Sequence, residues 1–191
     1  MTTIAESIAT SLVDRYTKEI LKQRFYQHKR YVVDTMNIIE TTGLPIRLPV
    51  TPEDISENIV KLLIHKNGDT TSKWAKPIKG ATGDLFSDRE GTQEIKCFTS
   101  DGPLSFGPTE RWNVIYFLDA RNWITDRFIL YRIPLTNTST EWKALRMSLT
   151  QSFEDQANEK RRPRLNWNNI HKQLGPICER IFEGTFEEII E

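Results

Sequence analysis

The chain has 191 residues, of which 38% are hydrophobic and 27% charged, and these values suit one globular domain spanning residues 1–191. Its 26 basic and 26 acidic residues cancel to a net charge of zero, which argues against a purely electrostatic nucleic-acid binder but leaves open a basic cleft balanced by acidic residues elsewhere. No apolar run is long enough to cross a bilayer, so we expect a cytoplasmic protein with no membrane contact.

The first third of the chain has helical periodicity. Apolar residues recur about every four positions over residues 4–36 and predict a long first helix, with a break near residues 27–29. A second helix is predicted to start with Thr51 as its N-cap and Pro52 in its first turn. The pair Asn67-Gly68 is typical of a helix end.

From residue 83 the pattern becomes that of strands and turns. Residues 83–87 and 92–98 predict two strands joined by a turn, which form a hairpin over about residues 83–98. A third strand is predicted at residues 113–118, and because it is apolar almost throughout, we expect it to be covered on both faces. A fourth is predicted at residues 128–133, before Pro134.

Helical signals return in the last third of the chain. Ser139 is a plausible N-cap, and short helices are predicted near residues 167–174 and 177–182. The order of two helices, four strands and further helices indicates an α/β fold with a central mixed β-sheet flanked by helices.

The residues that point to chemistry lie on the predicted hairpin. Side chains alternate along a strand, so Glu94 and Lys96 point the same way, and the hairpin brings Asp84 beside them. Two carboxylates can hold Mg²⁺ and leave positions open for water and phosphate, while a lysine can offset charge on the phosphate oxygens. The alternative is three solvated surface residues that contribute little energy.

This arrangement resembles the PD-(D/E)xK nuclease superfamily, which includes most type II restriction endonucleases. The resemblance implies a restriction-endonuclease-like core, with Asp84 and Glu94 as metal ligands and Lys96 as the catalytic lysine. It also implies the backbone carbonyl of Ile95 as a further ligand. The chain departs from the superfamily pattern immediately before Asp84, where Gly83 stands in place of proline.

A glutamate from a helix before the hairpin often approaches the metal in restriction enzymes of this superfamily. Glu57 has the corresponding position on the second predicted helix, and Glu53 is its rival. A solvated surface role for Glu57 is the alternative.

Three further groups of residues are candidates for DNA contact. The long irregular connection after Lys96 would leave the sheet beside the scissile phosphate, although its prolines could simply stiffen a structural loop. Two basic clusters could grip the DNA backbone, or could be ordinary solvated surface. The candidates are Ser100, Asp101, Ser105, Thr109 and Arg111 in the connection, and Lys73, Lys76, Lys79, Arg161, Arg162 and Arg164 in the clusters.

The sequence therefore predicts a Mg²⁺-dependent type II restriction endonuclease that cuts double-stranded DNA at a short site and leaves 5′-phosphates. We expect a homodimer, because a two-fold axis would match a palindromic site. No glycine-rich phosphate loop is present, so no nucleotide cofactor is expected. The alternatives are a structure-specific or repair nuclease, such as a junction resolvase, and a non-catalytic DNA-binding protein.

Overall fold

A computed structural model describes residues 4–75, 82–107 and 110–191, with the side chains of the first helix described from Thr17 onward. Within these ranges the helices are α1 (Ile4–Thr42), α2 (Glu53–Lys66), α3 (Thr140–Lys143), α4 (Phe153–Asn158), α5 (Trp167–Leu174) and α6 (Phe186–Ile190). The strands are β1 (Lys73–Trp74), β2 (Leu85–Ser87), β3 (Gly91–Phe98), β4 (Leu104–Ser105), β5 (Val114–Asp119), β6 (Arg127–Ile133), β7 (Arg164–Leu165) and β8 (Glu179–Thr185).

The described strands form a central sheet in the order β1-β2-β3-β5-β6-β8. The β3–β5 pair is parallel and the other neighbours are antiparallel, so the predicted mixed sheet is confirmed. The sheet has six described strands where four were predicted, because β1 and β8 extend its two edges. A separate antiparallel ladder joins β4 to β7.

Each face of the sheet is covered by its own apolar layer. Val114, Tyr116 and Leu118 of β5 pack into a core with α1, α2 and α6. The alternate residues Ile115 and Phe117 pack on the other side with the connection after β3 and with α3, α4 and α5. Every residue of β5 is buried, which confirms the predicted interior strand.

The first helix runs without the predicted break near residues 27–29. The polar residues there are held by tertiary contacts rather than by a turn. The His28 ring stacks on Trp123 with centroids 5.2 Å apart, and Nζ of Lys29 lies 2.7 Å from both carboxylate oxygens of Asp126. The helix therefore continues because the segment before β6 supplies partners for its polar side chains.

The predicted cap of α2 was wrong. Pro52 occupies the N-cap position, and the hydroxyl of buried Thr51 has no hydrogen-bond partner in the described structure. The carbonyl of Pro52 instead accepts hydrogen bonds from the backbone N–H groups of Ile55 and Ser56. The predicted end is confirmed, since Asn67 is the C-cap and Gly68 follows with a φ of 91°.

The predicted helix at residues 177–182 was also wrong. A short 3₁₀ turn ends at Ile177, and the chain then forms β8, which pairs with β6. This pairing joins residues about 50 positions apart, so the local apolar pattern could not reveal it. By contrast, α5 confirms the helix predicted at residues 167–174, and the hydroxyl of Ser139 accepts from the backbone N–H of Trp142 as the predicted N-cap of α3.

Among the helices that the structure describes, none combines the length and the apolar character needed to span a membrane.

Candidate active site

The hairpin brings the three predicted residues together. Leu85 pairs with Gln93 across β2 and β3, which places Asp84 beside Glu94. Oδ2 of Asp84 accepts a hydrogen bond of 2.8 Å from the backbone N–H of Ile95. The backbone N–H of Asp84 in turn donates to the carbonyl of Gln93 at 3.1 Å. The Asp84 carboxylate is thus fixed against the strand that carries Glu94 and Lys96.

The backbone conformation at position 83 explains why glycine, and not the proline of the motif that the sequence resembles, stands before Asp84. Its φ is 81°, whereas the proline ring holds φ near −65°, so proline cannot adopt this backbone conformation. A Cβ at position 83 would also lie 2.7 Å from the Cγ2 methyl of Thr92. Glycine is therefore required by the turn that delivers Asp84 to β3.

Glu94 and Lys96 form a buried ion pair on one face of β3. Nζ of Lys96 lies 2.6 Å from Oε1 of Glu94, and the two side chains are 16% and 6% exposed, respectively. The predicted common orientation of these side chains is confirmed. The face is the one covered by the connection after β3, because Nζ of Lys96 also lies 5.6 Å from the centroid of the buried Phe106 ring.

Burial sets the electrostatics of the three groups. Desolvation raises the pKa of Glu94 to about 7, and the negative charge of Asp84 adds to this effect. Desolvation also raises the pKa of Asp84, although the hydrogen bond from Ile95 opposes the shift. Burial by itself would lower the pKa of Lys96, but the adjacent Glu94 carboxylate outweighs it and the pKa rises. The site therefore holds two carboxylates at an energetic cost that a cation would relieve.

Glu110 is a fourth charged residue of the site, and the sequence analysis did not identify it. Its Oε2 lies 3.4 Å from Nζ of Lys96, so the lysine stands between two carboxylates. The side chain of Glu110 is 29% exposed and borders the cleft. It lies in an irregular connection with no periodicity, and only the folded structure brings it to Lys96.

An open cleft of about 610 Å³ lies over these residues. The N-terminal part of α2 supplies one wall, to which both Glu53 and Glu57 contribute. Glu53 is exposed and its charge contributes to the raised pKa of Asp84, whereas Glu57 is half-buried. Both rivals from the sequence analysis therefore border the cleft. Arg47, which the sequence analysis missed, borders it from the segment before α2.

The opposite wall is built by the connection after β3. Phe106 is fully buried among aromatic rings and anchors this connection to the core. The β4–β7 ladder pairs Ser105 with Arg164, and both residues border the cleft together with Ser100. Three of the predicted DNA-contacting residues therefore share one wall, although 59 positions separate Ser105 from Arg164.

The other described candidates for DNA contact do not border the cleft. Asp101 pairs with Arg121 at 2.6 Å, and Arg111 donates to the carbonyl of Glu110. Lys73, Arg161 and Arg162 are exposed elsewhere on the surface, where Arg161 pairs with Glu159. Lys76, Lys79 and Thr109 lie outside the described residues.

A buried polar network holds the turn between β2 and β3. The carboxylate of Glu90 accepts hydrogen bonds from the Tyr116 hydroxyl at 2.6 Å, from Nε2 of Gln93 at 2.9 Å and from Nε of Arg132 at 2.8 Å. These partners lie on β3, β5 and β6, and the Glu90 side chain is only 10% exposed. The network therefore fixes the turn of the β2–β3 hairpin to the centre of the sheet.

The residues present fit a hard divalent cation such as Mg²⁺. In the described structure Asp84 and Glu94 each have one carboxylate oxygen with a recorded hydrogen bond, and no hydrogen bond is recorded to the other oxygen. Hard cations prefer such oxygens and complete their shell with water and phosphate. Among the described residues no group of three or more His, Cys, Asp and Glu side chains is arranged to hold a metal.

Residues 20–174 match the model of a protein family described as Bsp6I restriction endonuclease. The match covers well over half of the chain and includes the hairpin, both walls of the cleft and Glu110. Comparison with curated proteins and with solved structures gives no significant match. The chain therefore belongs to the Bsp6I restriction endonuclease family.

Proposed function

We propose that the protein is a Mg²⁺-dependent type II restriction endonuclease of the PD-(D/E)xK superfamily, which cuts double-stranded DNA at a short site and leaves 5′-phosphates. Its family membership makes it a DNA-cleaving enzyme, and the restriction endonuclease predicted from the sequence is confirmed at that level. The observation that carries the finer proposal is the joint placement of Asp84, Glu94 and Lys96 on one hairpin under an open cleft.

Asp84 and Glu94 would hold the metal, with the carbonyl of Ile95 as a further ligand and Glu57 or Glu53 approaching from α2. All five residues border the same cleft. When bound, Mg²⁺ would polarise the phosphate and lower the pKa of a coordinated water. The carboxylates are suited to this because Glu94 is buried and Asp84 half-buried, and because they lie close together and are only partly satisfied by hydrogen bonds.

Lys96 would act on the phosphate itself. Hydrolysis builds negative charge on the phosphate oxygens, and a positive group held in a partly dry site offsets that charge most effectively. The ammonium group of Lys96 is held by Glu94 and Glu110 at the floor of the cleft. If Glu94 turned towards a cation, Glu110 would still keep Lys96 in place.

Arg164, Ser100 and Ser105 would hold the DNA backbone. Arg164 carries a guanidinium group suited to phosphate, and it borders the cleft beside the two serines. A neutral protein can bind DNA in this way because the positive groups are placed where the backbone passes. Two such clefts related by a two-fold axis could cut both strands of a palindromic site in one binding event, which is why we propose a homodimer.

The test is digestion of a large unmethylated phage DNA with Mg²⁺ and with EDTA, followed by sequencing of the fragment ends. Discrete Mg²⁺-dependent fragments with 5′-phosphates are the expected result. A smear or nicked circles would favour a structure-specific nuclease. Intact DNA under varied salt and metal would contradict the proposal.

Two variants test the assigned residues. We expect Lys96→Ala and Asp84→Ala each to lower the cleavage rate by at least about 100-fold, whereas DNA binding measured in EDTA is largely retained. Lys172→Ala is the matched control, because Lys172 is an exposed lysine of α5 away from the cleft. Full activity in either variant would remove that residue from the active site.

A further inference from the structure

The end of α1 and the segment that follows it form an exposed apolar surface, which we call the arm (residues 36–50). Every residue from Glu40 to Leu48 is exposed. The hydrogen bonds recorded for this stretch in the described structure stay within it, such as those from Gly43 to Ile39 and from Ile46 to Leu44. The rest of the chain therefore leaves most of the arm uncovered.

The arm exposes an unusually large number of apolar side chains for so short a segment. Six of them are between 39% and 63% exposed: Met36, Ile38, Leu44, Ile46, Leu48 and Val50. The last four recur at every second position, so much of the exposed apolar surface of the arm is concentrated in the segment after α1. Contiguous exposed apolar surface of this kind marks an interaction site.

The charges on the arm favour a protein partner over DNA. Glu40 and Arg47 are the only charged residues among its 15 positions, whereas a DNA-binding surface needs several lysines or arginines. The two charges are opposite in sign and stand on either side of Gly43. A two-fold contact between two arms would bring the acidic part of one to the basic part of the other.

The area is also adequate for a second copy of the chain. From the exposed fractions, these six residues expose about 500 Å² per copy, so two arms in full contact would bury at most about 1,000 Å² through them, at the lower limit for a specific interface. Polar atoms of the arm would add to this area.

We propose that the arm is the surface through which two copies of this chain associate. Arg47 and Val50 belong both to the arm and to the border of the cleft, so association through the arm would bring two clefts side by side. This inference specifies the surface that would form the proposed homodimer, and the biological purpose of that surface rests on the proposed function. The association itself needs no catalysis.

The test is the mass of the full chain in solution, measured by analytical ultracentrifugation with and without EDTA. We expect a dimer for the wild-type protein, and for the double variant Leu44→Glu/Ile46→Glu a dissociation constant raised by at least about 100-fold, because four glutamates would enter one interface. Leu149→Glu is the matched control, because Leu149 is fully exposed and lies off the arm. The substituted side chains are largely solvent-exposed, and circular dichroism will verify that the variants fold.

A wild-type monomer at tens of micromolar, or a double variant that dimerises like the wild type, would overturn the inference. Loss of DNA binding in the variant without any change in mass would assign the arm to DNA and would overturn it as well. The mass does not depend on cleavage. A dimer that cuts no DNA would therefore refute the proposed function and leave the arm as the interface.

Discussion

Replacing Glu94 with glutamine should stabilise the metal-free protein while removing its activity. The pKa of Glu94 is raised from its ordinary value of 4.5 to about 7, mainly because the carboxylate is buried. A raised pKa of this size means that ionising Glu94 costs the folded state about 3 kcal/mol at pH 8. Glutamine has nearly the same shape and carries no charge, so it avoids this cost.

The pKa of about 7 already includes the contact of the Glu94 carboxylate with Lys96. The expected gain is smaller than the full cost because glutamine exchanges one acceptor oxygen for an NH2 group, which cannot accept a hydrogen bond from Lys96. We therefore expect the free energy of unfolding of Glu94→Gln to exceed that of the wild type by about 2 kcal/mol at pH 8. For a chain of this length that is a rise of roughly 4–8 °C in Tm.

The pH dependence gives the sharper test. Because the folded-state pKa lies above the unfolded one, ionised Glu94 destabilises the folded protein fully above pH 7, and the cost disappears as the pH falls towards 4.5. Thermal unfolding in EDTA between pH 5 and pH 8 should show the two proteins converging at the acidic end. Added Mg²⁺ should then stabilise the wild type more than the variant, by mass action.

Two results would refute this reasoning. One is a variant that is less stable than the wild type at pH 8, and the other is a difference that does not change with pH. Glu141→Gln is the control, since Glu141 is an exposed glutamate of α3, and it should change the Tm little at any pH.

Three further variants test neighbouring parts of the site. Gly83→Ala should destabilise the protein by about 1–3 kcal/mol in urea unfolding, because alanine is strained at a φ of 81°. Gly102→Ala is the control and should leave the free energy of unfolding nearly unchanged, because Gly102 has no positive φ and a Cβ there meets only an ordinary contact. Glu90→Gln should lower the free energy of unfolding by about 1–3 kcal/mol in the same measurement, because the donors Tyr116, Gln93 and Arg132 lose a charged acceptor. An unchanged free energy of unfolding would contradict a structural role for the polar network around Glu90. Glu110→Gln should lower kcat for cleavage by about tenfold with little change in KM, since its contact is with Lys96; a change in KM alone would assign Glu110 to DNA binding instead.

The parts of the fold that were predicted correctly are those specified by local patterns. The apolar run of β5 required cover on both faces, and the Asn67-Gly68 pair ended α2 as expected. The errors arose where partners are distant in sequence. Strand β8 depends on pairing with β6, and the unbroken α1 depends on contacts of His28 and Lys29 with the segment before β6.

The residues of the candidate site divide in the same way, into those that local patterns predict and those that only the folded chain brings to the cleft. The hairpin could be predicted from the sequence because strand alternation and a short turn suffice to bring Asp84, Glu94 and Lys96 together. Glu110 and Arg47 could not be found, because they reach the cleft through irregular segments without periodicity. Of the clustered basic residues that the structure describes, only Arg164 borders the cleft, and it does so because β7 pairs with β4.

The contact between α1 and α6 affects how the protein folds during its synthesis. The ring of Phe25 stacks on that of Phe186 with centroids 3.8 Å apart, and Tyr26 donates a hydrogen bond to Glu187. These partners are 161 residues apart, so at ordinary rates of translation α1 waits roughly 10–30 s on the ribosome before α6 is synthesised. During that time the apolar stripe of α1 lacks part of its cover and is open to chaperones. The layer on the other face of the sheet from Glu94 and Lys96 is thus completed only late in synthesis.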